Sequence, residues 1–370
     1  MKRILHVMGG MNRAGAESMI MTLYRELDKE KYQFDFLVYK NEKQDYEEEI
    51  IKMGGRVIHL PQKSGILGLI NSIYEINRVI KEFGPYEAIH IATLHNSAFS
   101  LLASLPYRKL KRIVHSHNTS NVVNPNLSKK IYNWITTKVI RNLSQYKLAC
   151  GKEAGEYLFG KKQFDKDGII INNSVNVEEL FHIQETQIKK LKSELNISNE
   201  LIIGSIARLD EVKNHHKMIE IASELKKRNI SFKMLFIGRG DLEESLKRKV
   251  KEKGLKEVIF LGVRTDIPEL LHCMDLFLMP SFFEGNPVTL VEAQAAGTPA
   301  LISSTITDKI DLKLGLIERC DINDSTDVWV DRILSITKPN LEFEDIKKAF
   351  TKYGYDIKSS LEKLIEVYTR

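Results

Sequence analysis

Cysteine is scarce. The 370 residues carry three, Cys150, Cys273 and Cys320, isolated from one another and without CxxC spacing. That excludes a disulfide framework and a local zinc site, and it suits a reducing cytosol. No Pro/Gly-rich or low-complexity tract breaks the chain. A membrane span is also missing. Ala88 to Tyr107 lacks Lys, Arg, Asp and Glu over 20 positions, yet it holds His90, His95, Asn96, Ser97, Ser100, Ser104 and Pro106. That polar load is too heavy for a bilayer core, so the stretch reads as a buried strand followed by a buried helix. Met1 to Leu5 opens like a signal peptide, but Gly9, Gly10, Asn12, Arg13 and Glu17 end the apolar run too early. At 43% hydrophobic and 28% charged, the composition is that of a soluble protein long enough for two domains, each with its own core.

Acidic charge is absent from one region. Between residues 101 and 150 stand nine cations, Arg108, Lys109, Lys111, Arg112, Lys129, Lys130, Lys138, Arg141 and Lys147, and no Asp or Glu, within a net charge of +6. A one-sign field attracts an anionic partner: nucleic acid, acidic lipid or a phosphate-bearing substrate. Nucleic acid lacks an interleaved aromatic platform here, since Tyr132 and Trp134 stand alone. Ile131, Trp134, Ile135 and Val139 recur at helical spacing. Either this face packs on its own domain or, with Trp134 exposed, it adsorbs to anionic lipid.

What is present is alternation. Strand-like runs (3–7, 34–39, 56–60, 88–92, 112–116, 146–150, 168–171) alternate with helix-like ones, and a second series begins at Leu201. Repeated β–α units predict parallel, doubly wound sheets, whose ligands gather at strand C-termini. Three such ends carry chemistry. After the first strand comes Gly9-Gly10 with Gly15-Ala16-Glu17, a glycine turn that does not meet the GxGxxG spacing, before a helix from about Ser18. After Arg112 to Ser116 comes His117, beyond the strand end, whereas His115 falls within the strand as a buried imidazole. After Leu201 to Ala207 come Arg208 and Lys213, placed to clamp a polyphosphate beside a helix start. Polar Gln184 to Asn199 precedes that second fold.

The most informative stretch is Leu276 to Pro299: strand, loop, then a helix that Pro287 opens and Gly297 closes. Its first-turn amides suit a phosphate, and Glu284 on the loop and Glu292 in the helix add carboxylates.

In this order and spacing the motifs resemble the family 4 glycosyltransferases of GT-B fold, especially those of capsule and exopolysaccharide synthesis. The likeness spans essentially the whole chain. It rests on Glu284-x7-Glu292 with Gly285-Asn286-Pro287 between, on Gly204 to Lys213, and on the N-terminal glycine loop. Ala14 and Asn286 depart from the family pattern. The resemblance implies two Rossmann-like β/α/β domains facing across a cleft: 1–176 on the acceptor side, 177–350 binding the nucleotide-sugar, and 351–370 a C-terminal helix crossing back.

It also implies roles. Glu292 would hold ribose hydroxyls. Arg208 and Lys213 would neutralise the diphosphate without a metal or other cofactor. Amides of Val288, Thr289 and Leu290 would bind the same phosphates, with Gly15 approaching them. Val263 and Arg264 would flank the base; Glu284, Gly285 and Asn286 would meet the transferred sugar, with Pro287 also in the donor site; His117 would line the sugar and acceptor side. The implied enzyme is a cytoplasmic hexosyltransferase, peripheral on the inner face of the membrane. It retains anomeric configuration and moves a hexose or N-acetylhexosamine, from UDP in the leading case, to a lipid-linked saccharide. Arg108, Lys109, Lys111, Arg112, Lys129, Lys130, Trp134, Lys138 and Arg141 would meet the membrane or the acceptor's diphosphate. A nucleotide-sugar epimerase of the same fold, and a nucleic-acid-binding protein using 101–150, are the alternatives.

Overall fold

The computed structural model describes residues 1–13, 15–60, 65–117 and 126–370, with the side chains of 65–67 outside that description. Ala14 and residues 118–125, which follow His117, lie outside the described residues. The chain forms two units, Met1–Asn173 with Ile357–Arg370, and Ser174–Asp356.

The first unit holds seven strands: β1 (Lys2–Met8), β2 (Tyr32–Val38), β3 (Arg56–His59), β4 (Ala88–Ile91), β5 (Lys111–Ser116), β6 (Tyr146–Ala149) and β7 (Gly168–Ile170). They lie in the order β3-β2-β1-β4-β5-β6-β7, parallel in every pair. Its helices are α1 (Gly15–Glu26), α2 (Glu47–Lys52), α3 (Gly65–Phe83), α4 (Ser97–Ser104), α5 (Leu127–Leu143), α6 (Lys152–Phe159) and α7 (Lys161–Asp167). Both sheet faces are covered. Ile4, Phe34, Phe36 and Ile113 belong to one apolar layer, Leu5, Val7, Ile89 and Val114 to the other. Burial on both faces is why the strands read as continuous apolar runs.

The second unit repeats the design with six strands, β8 (Leu201–Ile206), β9 (Phe232–Ile237), β10 (Val258–Gly262), β11 (Leu276–Met279), β12 (Ala300–Ser303) and β13 (Ile317–Cys320), in the parallel order β10-β9-β8-β11-β12-β13. Its helices are α8 (Val177–Phe181), α9 (Glu185–Glu194), α10 (His215–Lys227), α11 (Glu243–Glu252), α12 (Ile267–Cys273), α13 (Val288–Ala295), α14 (Thr326–Ser335) and α15 (Phe343–Tyr353). The last helix, α16 (Ile357–Thr369), packs on the first unit by Ile357, Leu364, Val367 and Tyr368.

Several elements differ from the sequence reading. Residues 351–370 are not one helix: Gly354, at φ 73°, ends α15 before α16 begins. The polar stretch after Gln184 is helical, although Leu191 is the one residue of α9 that is buried. Helices α6 and α7 escape a periodicity search because each is short and Gly160, at φ 77°, divides them. Helix α1 begins at Gly15, so Gly15-Ala16-Glu17 form its first turn and not the loop before it.

Candidate functional site

In each sheet the strand order reverses beside the first strand, between β1 and β4 and between β8 and β11. The crevice beyond such a point is the favoured ligand position of an open α/β sheet. In the second unit the two flanking loops are stitched together there. The Phe282 amide donates to the Val212 carbonyl at 2.8 Å, and Asn214 Nδ2 donates to the Pro280 carbonyl at 3.1 Å. Asn214 manages this from a left-handed conformation, φ 53°. Asp210 caps the short turn Glu211–Lys213, its Oδ1 accepting from the Lys213 amide at 3.3 Å.

The result brings Lys213 and Glu284 together as an ion pair, with Ser281 Oγ donating to the same carboxylate oxygen at 3.2 Å. Arg208, from the same loop as Lys213, is exposed and makes no ion pair among the described residues. At these strand ends Lys213 is thus paired with a carboxylate while the Arg208 guanidinium, among the described residues, is not.

Two glycines hold the Arg208 loop in place. Gly238, at φ 134°, packs so tightly that a Cβ would lie 2.0 Å from the Ala207 carbonyl oxygen, and one on Gly240 would lie 2.3 Å from that of Leu209. The Leu209 amide then donates to the Arg239 carbonyl at 3.1 Å, and the Leu209 carbonyl accepts from the Leu242 amide at 3.0 Å. The sequence gives no hint of this role, which depends on two loops meeting backbone to backbone.

Pro287 precedes α13 with extended geometry (φ −71°, ψ 111°), one position earlier than its expected place in the first turn. No side chain caps this helix. Helix geometry leaves its leading N–H groups, Val288 and Thr289 first, without intrahelical acceptors. At the other end Gly297 takes φ 65°, and the Thr298 amide bonds the Ala293 carbonyl at 2.9 Å, closing the helix where expected. Glu292 keeps part of its surface accessible. Burial, with the Glu179 carboxylate adding repulsion, pushes its pKa up to about 7. Asn286 Oδ1 accepts from the Tyr355 hydroxyl at 3.3 Å. Val263 is 40% exposed, whereas Arg264 is held by Asp266 through two hydrogen bonds and by Glu194 through a third.

In the first unit, the glycine turn after β1 is tied to the loop before α2: the Met11 amide donates to Gln44 Oε1 at 2.9 Å and the Arg13 amide to Asp45 Oδ2 at 3.0 Å. His117 follows β5 and packs against His115, the ring centroids 3.9 Å apart and the planes tilted by 34°. Burial lowers its pKa to about 4, so the ring is neutral at physiological pH.

The basic stretch separates into two groups. Arg108, Lys109, Lys129, Lys130, Lys138 and Arg141 are exposed. Lys111 and Arg112, in β5, are partly buried: Lys111 Nζ bonds Glu87 and the Tyr368 carbonyl, and Arg112 Nε bonds the Leu143 carbonyl. On α5, Trp134 is 61% exposed under the Lys138 ammonium, 3.6 Å from the ring centroid. Thr136 and Ile140 supply the buried face of α5 instead of Ile131 and Ile135.

Comparison with known proteins gives two family matches, glycosyl transferases group 1 over residues 187–307 and glycosyltransferase family 4 over residues 13–179. A glycosyltransferase of Bacillus subtilis (strain 168), EpsF, is 37% identical over 99% of this chain and 96% of its own. The chain belongs to the glycosyltransferases. An Escherichia coli relative, UDP-Gal:alpha-D-GlcNAc-diphosphoundecaprenol alpha-1,3-galactosyltransferase, is 25% identical over 81% of this chain and 90% of its own. The fold matches that of Anabaena HepE, crystallised with UDP-glucose, at a TM-score of 0.76 and 17% identity, covering 99% of both chains. The architecture of this glycosyltransferase is therefore GT-B, as its two parallel sheets and these neighbours show. Among its described residues no group of three or more His, Cys, Asp or Glu is placed to hold a metal ion. None of its described helices is long and apolar enough to cross a membrane.

Proposed function

We propose that this glycosyltransferase transfers a hexose or N-acetylhexosamine from a UDP-sugar to a lipid-linked saccharide during surface polysaccharide synthesis, without a metal and with retention of configuration. The observation that carries the reading is the set of groups gathered at the β8–β11 switch point: exposed Arg208, the Lys213–Glu284 pair, and the uncapped start of α13 with Glu292 in its second turn. The names of relatives add the substrate class, since two act on sugars linked to diphosphoundecaprenol or diphospho-undecaprenol.

The chemistry follows from charge. Breaking the bond between the sugar's anomeric carbon and the diphosphate leaves negative charge on the departing oxygens. Arg208, Lys213 and the amides of Val288 and Thr289 stabilise that charge where it develops. Lys213 enters this work paired with Glu284. Phosphate oxygens compete for its ammonium, and Glu284 is then free to accept from a sugar hydroxyl. Glu292 accepts from the ribose hydroxyls. Neutral His117 contributes a hydrogen bond on the sugar and acceptor side, and the acceptor hydroxyl attacks the face the diphosphate leaves and passes its proton to the leaving phosphate.

The exposed face of α5 serves the lipid-linked acceptor. Leu127, Ile131, Trp134 and Ile135 are all at least half exposed, beside Lys129, Lys130, Lys138 and Arg141. Apolar and basic side chains so mixed on one helix suit the interface of an anionic bilayer, where the enzyme would sit as a peripheral protein.

The test is incubation of purified enzyme with UDP-sugars and a polyprenyl-diphosphate-linked sugar, with and without EDTA. Extension of the acceptor in both conditions is expected. A new sugar epimer without transfer, or loss of activity that Mg²⁺ or Mn²⁺ restores, would refute the reading.

A further inference from the structure

The first unit buries three imidazoles, those of His6, His90 and His115, that the transfer chemistry above does not use. His6 on β1 stands directly opposite His90 on β4, and His90 opposite Ile113 on β5. Side chains two residues apart on a strand share a face. His115 therefore lies diagonally up from His90, and His117 continues the same line past the end of β5. A row of this kind climbs across three neighbouring strands toward the edge where ligands bind. Against it, from α16, stands Tyr368, fully buried like His6, His90 and His115.

The contacts form one chain. Tyr368 Oη lies 3.4 Å from His6 Nε2 and 2.7 Å from His90 Nδ1, and His90 Nε2 lies 3.1 Å from His115 Nδ1. The His115 ring packs, tilted, against that of His117. His6 Nδ1, His115 Nε2 and His117 Nδ1 are buried without a hydrogen-bond partner among the described residues. A neutral imidazole donates from one nitrogen and accepts at the other, so the proton order of the whole chain is fixed by any one link. If the Tyr368 hydroxyl donates to His90 Nδ1, then His90 donates from Nε2 and His115 carries its proton on Nε2. If the hydroxyl donates to His6, every link reverses and His115 Nε2 is a bare lone pair. One hydroxyl thus decides which face His115 presents beside His117. Burying so many imidazoles among apolar side chains is costly, and a polar row retained inside a core asks for a role.

We infer that Tyr368, acting through His90 and His115, is a positioning residue for His117: it fixes the tautomers along the row and thereby the ring against which His117 packs. The docking of α16, the last helix of the chain, is then coupled to the imidazole on the sugar and acceptor side. This rests on the proposed role of His117.

The experiment uses full-length enzyme labelled with ¹⁵N-histidine, in which long-range ¹H–¹⁵N spectra report the tautomer of each ring. Wild-type His90 and His115 should each show a single tautomer. Tyr368→Phe removes only the hydroxyl. It should mix those tautomers, shift the His117 ring signals and lower kcat about tenfold, the worth of one hydrogen bond, with the donor KM within about twofold. His90→Asn, which keeps a partner for Tyr368 but severs the link to His115, should lower kcat similarly. Leu364→Ala loosens α16 while leaving the hydroxyl, and should preserve the tautomers. Unchanged His115 and His117 signals in Tyr368→Phe, or full reproduction of the effect by Leu364→Ala, would overturn the inference. His117→Ala separates it from the reading beneath. If that variant is inactive while Tyr368→Phe is fully active, the positioning claim alone fails; if it is fully active, the proposed role of His117 fails first.

Discussion

Glu292 offers a prediction in which function and stability pull in opposite directions. Its carboxyl titrates near 4.5 in an unfolded chain and at about 7 in the fold, because burial disfavours the charged form. The folded state binds the extra proton, so stability is fully present below pH 4.5 and falls as pH rises toward 7. The gap between those values corresponds to at most about 3 kcal/mol, trimmed because solvent still reaches part of the side chain. Glu292→Gln removes the buried charge. Urea unfolding without donor should therefore show the variant about 1–3 kcal/mol more stable than wild type at pH 8, with the difference vanishing near pH 4.5. Donor binding should move the other way. Ribose hydroxyls donate to the ionised carboxylate, so wild-type affinity should rise with pH through about 7. The Gln variant should lose that pH dependence and about 1.5–3 kcal/mol of binding, the worth of hydrogen bonds to a charged group. Calorimetry across pH 5.5–8.5 reads both effects. A Gln variant that binds UDP-sugar as wild type does, or that is less stable at pH 8, would refute the reasoning.

Other outcomes follow from the same geometry. Lys213→Met should lower kcat by about 10²–10³, as removal of a charge-stabilising donor does, and the loss should appear in steady-state rates more than in donor KM. Gly238→Ala should destabilise the fold by more than about 2 kcal/mol in urea melts, since it combines a positive φ with a Cβ driven into the Ala207 carbonyl. Trp134→Ala with Lys138→Glu should abolish co-sedimentation with anionic vesicles but leave UDP-sugar affinity unaltered. Equal sedimentation would remove the membrane role of α5.

Much of this was legible in the residues. The strands announce themselves because both faces of each sheet are buried, and Pro287 and Gly297 mark the ends of α13 to within a residue. The carboxylates and cations of the second unit could be placed at strand ends from sequence order alone. What could not be read depends on register and close approach. Nothing in the sequence aligns His6 with His90, sets Tyr368 against both, or shows that Gly238 must lie against Ala207. Charge counting also does not show which donors are taken up within the fold, as Lys111 is by Glu87 and Arg112 Nε by the Leu143 carbonyl. The helices that escaped notice, such as α9, carry too few buried residues to leave a period.

The central claim is that the β8–β11 switch point binds a nucleotide diphosphate sugar. Calorimetric titration of the full chain with UDP-, GDP- and ADP-sugars, repeated on Arg208→Ala, tests it most directly. Saturable binding of a UDP-sugar in the presence of EDTA, weakened at least about tenfold by the loss of a charge-assisted contact, is the expected result. Failure of every one of these nucleotide sugars to bind at millimolar concentration, or binding that Arg208→Ala leaves untouched, would contradict it.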